Sequence, residues 1–286
     1  MQITQTLPSL SKSRKHLKTE LVSDVHHCSS VAQLDCELTM FFHCELVVLI
    51  LALTLNGQVH TGQIYGGHEA KAHSRPYMVL LEQHTEDGGK KHCDGFLLTE
   101  DFVMTAAHCQ AKSYTALLGV HNVRDSNGIQ RISVKDTFPH KDYNETELIN
   151  DIMILKLSSK ANVSNTVRPI ALADQGNGSL PKSCSVSGWG RNDRNSKYMS
   201  LKLMEVSVTL TDNELCRGKK IYCSEGEAGP GEGDSGGPLV CEDGKAYGVV
   251  SSSHKTNPDG PYVYSYTKIP EKMDWIKQII GHNGKF

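Results

Sequence analysis

The chain lacks an excess of charge of either sign. Its 30 Lys and Arg stand against 32 Asp and Glu, a formal net charge of −2, which excludes nucleic-acid binding through a broad basic surface. It lacks long hydrophobic runs as well. The longest, LVVLILALTL from Leu46 to Leu55, falls well short of the roughly 20 residues that cross a bilayer as a helix. No period of 20–50 residues recurs, which excludes solenoids and propellers. Helical periodicity is almost absent before the last twenty residues or so. With 38% hydrophobic and 22% charged residues, the composition is that of a globular chain and not of a disordered or collagenous one. An even cysteine count is also missing: nine cannot all pair within the chain.

What is present divides the chain. Residues 1–39 carry no sustained period and read as an N-terminal extension, either disordered or a start upstream of the true one. Met40 and the apolar run that follows fit the hydrophobic region of a signal peptide over 40–61, with small and polar residues after it. A buried strand or helix is the plainer reading of that run. Removing residues 1–63 takes away Cys28, Cys36 and Cys44 and leaves six cysteines, an even set that suits an oxidising compartment. Sequons at Asn144, Asn162 and Asn177 point the same way. From residue 64 onward, short β-branched or alternating runs recur between Gly, Pro, Asn and Asp: Tyr114–Val120, Ile129–Val134, Ile152–Leu157, Leu203–Thr209, Ala246–Ser251 and Tyr262–Ile269. Many short strands with polar turns predict an all-β barrel or sandwich. A helix is predicted from Pro270, with Trp275, Ile276, Ile279 and Ile280 as its apolar stripe and Gly281 as its end.

Three strings carry chemistry: Thr105-Ala106-Ala107-His108-Cys109, Asn150-Asp151-Ile152-Met153-Ile154-Leu155 and Gly233-Asp234-Ser235-Gly236-Gly237-Pro238. Taken singly, His108 reads as a hydrogen-bonded core histidine, Asp151 as a cap at a strand start and Ser235 as a turn residue. Together, in the order His, Asp, Ser, they fit a catalytic triad. A serine hydroxyl needs a histidine to take its proton, and the histidine needs a buried aspartate to hold its tautomer. Glycines around the serine let the N–H groups of Gly233 and Ser235 point at one oxyanion. The pairs His92-Cys93 and His108-Cys109 lack zinc-ligand spacing, so no metal and no cofactor is expected.

With Ile64-Tyr65-Gly66-Gly67-His68-Glu69-Ala70, His73-Ser74-Arg75-Pro76-Tyr77-Met78 and Ser187-Gly188-Trp189-Gly190, residues 64–286 resemble a chymotrypsin-like serine protease of the granzyme and mast cell protease branch. The resemblance implies an all-β fold of two six-stranded antiparallel β-barrels with a C-terminal helix, crossing over near 158–175. It implies disulfides Cys93–Cys109, Cys184–Cys241 and Cys216–Cys223, although the interval before Cys223 is shorter than the family's. It implies a zymogen whose dipeptide Gly62-Gln63 is removed by a dipeptidyl peptidase, so that the amine of Ile64 pairs with Asp234. Tyr65, where an aliphatic residue is commoner, is expected to change little.

For the substrate pocket, the resemblance puts Gly229 at the floor and Glu232 on the rim, where it would disfavour acidic substrate residues, with Glu225, Glu227 or Glu232 itself able to lie nearer the pocket. Ser251, Ser252 and Ser253 fall on the strand that pairs with substrate, and Tyr262 stands where a glycine usually leaves the pocket deep, so that its ring either shortens the pocket in favour of small or medium apolar side chains or points elsewhere. Without an aspartate at the floor, specificity is expected to be restricted and non-tryptic. The expected partners are protein or peptide substrates, protease inhibitors and the activating peptidase, with no nucleic acid and no stable membrane insertion. The expected location is outside the cell or in a secretory or cytotoxic granule lumen. A protease fold that only binds, with catalysis lost, is the competing class; labelling of Ser235 separates the two.

Overall fold

The structure is a computed structural model and describes residues 64–174, 180–212, 214–255 and 257–283. The expected extension, signal segment and activation dipeptide lie outside the described residues, as does Asn177. After a two-residue strand β1 (His68–Glu69), six strands follow: β2 (Met78–His84), β3 (Lys90–Leu97), β4 (Phe102–Thr105), β5 (Ser113–Leu118), β6 (Gln130–Pro139) and β7 (Met153–Leu157). They close on themselves in the order β2-β3-β4-β7-β6-β5. Six more make up the second sheet: β8 (Ser183–Gly188), β9 (Met204–Thr211), β10 (Ile221–Gly226), β11 (Pro238–Cys241), β12 (Ala246–Lys255) and β13 (Tyr262–Lys268). Here β9-β10-β13-β12-β11-β8 closes through a β8–β9 pairing, with β1 added alongside β9. All these pairings are antiparallel. The fold is therefore two closed six-stranded barrels, and closure removes the sheet edges that would otherwise pair with another chain.

The strand pattern follows from which faces are covered. In β9, Met204, Val206, Val208 and Leu210 are buried while the residues between them are more open, the period-2 signature of a half-buried strand. In β7, Met153, Ile154, Leu155 and Leu157 are all buried, because neighbouring elements cover both faces. The largest apolar cluster centres on the first barrel, around Phe96, Phe102, Ile152 and Ile154, and reaches Val240, Ala246 and Val249 of the second. Each such side chain, fully buried, contributes roughly 1.5–3 kcal/mol.

Helix α1 (Glu214–Gly218) is one short turn, and α2 (Met273–Asn283) follows a 3-10 turn at Pro270–Lys272. Ile276 is buried in the first barrel's cluster, with Trp275, Ile279 and Ile280 packed against it. The helix runs through Gly281, where the sequence predicted its end. Its last carbonyls have partners that a glycine cap would otherwise replace: Asn283 Nδ2 donates to Ile279 O at 2.9 Å, and Lys156 Nζ donates to Asn283 O at 2.6 Å. Three disulfides are formed, Cys93–Cys109, Cys184–Cys241 and Cys216–Cys223. Among the described residues, no helix is long and apolar enough to cross a membrane.

Candidate active site

His108 sits in a 3-10 turn, Ala107–Cys109, directly after β4. Asp151 lies just ahead of β7, where Asn150 takes a left-handed φ of 56°. Asparagine tolerates that conformation, and its Nδ2 is anchored on Asp142 O at 2.8 Å. The turn delivers Asp151 inward, with none of its side chain exposed. Its Oδ2 is 2.7 Å from His108 Nδ1, and its Oδ1 accepts the His108 backbone N–H at 2.8 Å. Ser251 Oγ also donates to Oδ2 at 2.6 Å, and Thr267 Oγ1 donates to the Asp151 carbonyl at 2.9 Å. The carboxylate thus holds both the ring and the backbone of His108, and the second barrel fixes it from the other side.

Ser251 was expected only on the substrate-pairing strand; its hydroxyl bond to Asp151 was not read from the sequence. The β12–β13 register shifts between Val250 and Ser252, and a bulge of this kind re-aims the residue it carries.

Ser235 lies in the loop before β11, half-buried. Its carbonyl accepts the Asp94 N–H at 2.8 Å and lies 3.8 Å from Cys109 Sγ. The next residue, Gly236, has a φ of +87°, and a Cβ there would lie 2.1 Å from Thr105 Oγ1. Only glycine lets the serine loop approach the strand end that leads into His108. Within the loop, Asp234 N donates to Gly231 O, Gly236 N to Val250 O and Gly237 N to Asp234 O. Among the described residues, the N–H groups of Gly233 and Ser235 have no backbone acceptor.

Asp234 is fully buried and accepts N–H bonds from Gly190 at 2.7 Å and Gly231 at 2.6 Å. Burial pushes its carboxyl up to about 7 against the pull of those two bonds. Beside it lies a second buried acid, Asp94, which the sequence reading missed. Its Oδ2 accepts the Trp189 N–H at 3.2 Å, while its Oδ1 has no partner among the described residues. A Cβ on Gly188 would lie 2.1 Å from Asp234 Oδ1 and 2.2 Å from Asp94 Oδ2, so the two carboxyls converge on one point. Burial first, and the Asp234 charge second, push Asp94 well above the usual carboxylate range. Ile64 is buried in the second barrel's core with Val186, Tyr264 and Tyr266.

A cavity of about 350 Å³ opens beside Ser235. Glu232, Ser251, Ser252, Ser253 and Tyr262 line it, but Gly229 does not. Gly229 instead donates its N–H to Tyr65 O at 2.9 Å and lies under the Tyr264 ring. Tyr65 and Arg194 take part in the wall; the ring of Tyr65, expected to change little, faces the guanidinium of Arg194, 4.3 Å away. Glu232 is exposed and pairs with Arg191 at 2.7 Å. Glu227 pairs with Arg194, and Glu225 accepts a bond from Thr211 Oγ1. A larger cavity of about 480 Å³ lies along Ser251–His254 and Leu148; Ser235 does not line it, so the smaller cavity is the one tied to Ser235.

Cys93, His108 and Cys109 are the one group of three metal-ligating side chains found among the described residues. The two cysteines are bonded to each other and offer no thiolate. Asn144 and Asn162 stand exposed on loops.

Residues 64–276 match the family model described as Trypsin. Granzyme B of Rattus norvegicus is 39% identical over 249 residues, covering 82% of this chain and 98% of that protein. Duodenase-1 of Bos taurus is 41% identical over 247 residues, 81% of this chain and 94% of its own. A solved structure described as "Structure of GrC" aligns with a TM-score of 0.66 at 34% identity, over 76% of this chain and 99% of that one.

Proposed function

Because this chain belongs to the trypsin family of serine proteases, on its granzyme branch, we propose that His108, Asp151 and Ser235 are its catalytic triad and that it hydrolyses peptide bonds through an acyl-enzyme. The observation that carries this reading is the buried Asp151 carboxylate gripping both the ring and the backbone of His108, with the Ser235 loop packed against the same turn. With its Nδ1 proton held on Asp151, the imidazole presents Nε2 as the base that takes the Ser235 proton. The hydroxyl oxygen attacks the peptide carbonyl, and the oxyanion collects on the N–H groups of Gly233 and Ser235. One such donor is worth roughly 3–4 kcal/mol in related sites. The imidazolium returns its proton to the leaving amine, and water then releases the acyl group by the same steps.

Activation starts with removal of Gly62-Gln63, which suits a dipeptidyl peptidase because no Lys or Arg precedes Ile64. The new amine of Ile64 pairs with Asp234. This is supported by the burial of both residues and by the raised carboxyl, which gains most from a cation brought beside it. Three disulfides and the exposed Asn144 and Asn162 sequons support a secreted or granule-held enzyme. Its partners are protein or peptide substrates and the inhibitors that mimic them.

Protein beginning at Ile64 should release a burst of about one leaving group per molecule from a peptidyl ester before steady turnover. Ser235→Ala should give none. A protein that neither bursts nor turns over any member of a diverse ester library overturns the proposal.

A further inference from the structure

Arg194 lies between β8 and β9 and reaches the wall of the cavity beside Ser235. Its guanidinium carbon is 4.3 Å from the Tyr65 ring centroid and 4.0 Å from that of Tyr262, so it is faced by two rings. Nη1 donates to Glu227 Oε2 at 2.9 Å, and Nη2 donates to Glu227 O and Tyr264 Oη, each at 2.9 Å. Burial pushes the Tyr264 phenol up to about 12, so it stays neutral beside the cation. Nε is buried and has no acceptor among the described residues.

Two charged side chains line this cavity, Arg194 and Glu232. Glu232 is largely exposed and already paired with Arg191, so solvent and its partner cancel most of its field. Glu227, the counter-ion of Arg194, is itself 72% exposed and is not part of the lining. The Arg194 side chain is only 30% exposed. Within the cavity the less screened charge is the positive one. A second cation, Lys255, has its Nζ 4.9 Å from the Tyr262 ring centroid and adds to the same sign. The guanidinium is also pre-organised, because the stacked rings and the Glu227 and Tyr264 bonds leave it little freedom to lose.

We propose that Arg194 determines specificity in this cavity, which takes a substrate side chain ending in a carboxylate. The inference rests on the protease reading above and adds the class of residue after which the enzyme cuts. A carboxylate meets the least screened charge in the wall, that of the Arg194 guanidinium. A Lys or Arg side chain meets like charge. An amide of the same shape forgoes the charge.

The test uses protein beginning at Ile64 and peptides that differ only at the residue before the cleaved bond: Glu, Gln, Leu or Lys. The wild-type kcat/KM for Glu should exceed that for Gln by at least about tenfold, with Leu and Lys below both, and the Glu-to-Gln ratio should shrink as salt rises. Arg194→Gln should bring the ratio close to one, and Arg194→Lys should restore part of it. Because the ratio is measured on protein that cleaves, misfolded variant does not enter it. A wild-type ratio of one or less, or a ratio that Arg194→Gln leaves unchanged, overturns the inference. A fluorophosphonate label on wild-type Ser235 tells the two readings apart. Labelled enzyme without the Glu preference overturns this inference alone, whereas wild-type protein that takes no label overturns both.

Discussion

The two barrels share a strand count and a closure but differ in what they bury. The largest apolar cluster centres on the first and reaches Val240, Ala246 and Val249 of the second, and the first barrel's few buried polar side chains, Gln83, Asp94, Thr105 and Asp151, all lie on β2–β4 or the turn into β7. The second buries Ser187, Ser224, Asp234, Ser251, Ser265 and Thr267 along with the hydroxyls of Tyr264 and Tyr266. It also holds two of the three disulfides, Cys184–Cys241 and Cys216–Cys223. On the proposed mechanism the first barrel thus presents His108 and Asp151, base and orienting acid, from an apolar frame. On the same mechanism the second presents Ser235, the Gly233 and Ser235 N–H groups, Asp234 and the pocket from loops held by polar bonds. Changes in the first should therefore alter stability and rate. Changes in the second should alter activation and choice of substrate.

The largest expected effect sits where the barrels meet. Ser235→Ala should lower kcat/KM by about 10⁴–10⁶-fold while leaving the melting temperature close to wild type. A loss below a hundredfold in steady-state assays would mean that another group attacks.

Next comes the frame of the second barrel. Its disulfide Cys184–Cys241 spans 57 residues and Cys216–Cys223 spans 7. Chain entropy assigns them about 4 and about 2–3 kcal/mol. Denaturant melts of the paired Cys→Ser variants should follow that order, and the reverse order would mean that the short bridge carries more than loop closure.

The acid pair sharpens the comparison because it joins β3 of the first barrel to the serine loop of the second. Burial raises the folded-state values of both carboxyls above their unfolded ones. A raised acid stabilises the fold fully below the unfolded value of about 4, and that stability is lost as pH rises through the folded value. The uncleaved chain should therefore lose stability between about pH 4 and the Asp234 value of about 7. Asp94→Asn keeps an acceptor for Trp189 and removes the charge. The variant should gain on wild type by several degrees in melting temperature across that window. A constant difference from pH 4 to 7 would place no titrating load on Asp94.

The smallest effect concerns the bond that crosses from the second barrel to the first. Ser251→Ala removes one of three side-chain or backbone donors to the Asp151 carboxylate. It should lower kcat by about tenfold, the worth of one hydrogen bond to a charged group, with KM nearly unchanged. Recovery in Ser251→Thr would show that the hydroxyl, and not the strand, is responsible.

Much of this was legible in the sequence, and what was not has a physical reason. The strings around His108, Asp151 and Ser235 mark themselves because their chemistry needs fixed neighbours: small residues, an apolar strand and glycines. The strand runs were visible where one face is open, as in β9. Asp94 was not, because both faces of β3 are covered from Cys93 onward and alternation then carries no signal. Arg194 escaped notice, and Tyr65 was not tied to the pocket, because the two meet through loop geometry, with no period or spacing to mark them. The helix ran beyond Gly281 because tertiary bonds to Asn283 outweighed a local stop signal.

The most direct measurement is active-site labelling of protein that begins at Ile64. A fluorophosphonate probe should modify Ser235 in one-to-one ratio, and His108→Ala should all but abolish the reaction. Modification of any other residue, or labelling of Ser235 that does not depend on His108, would contradict the triad.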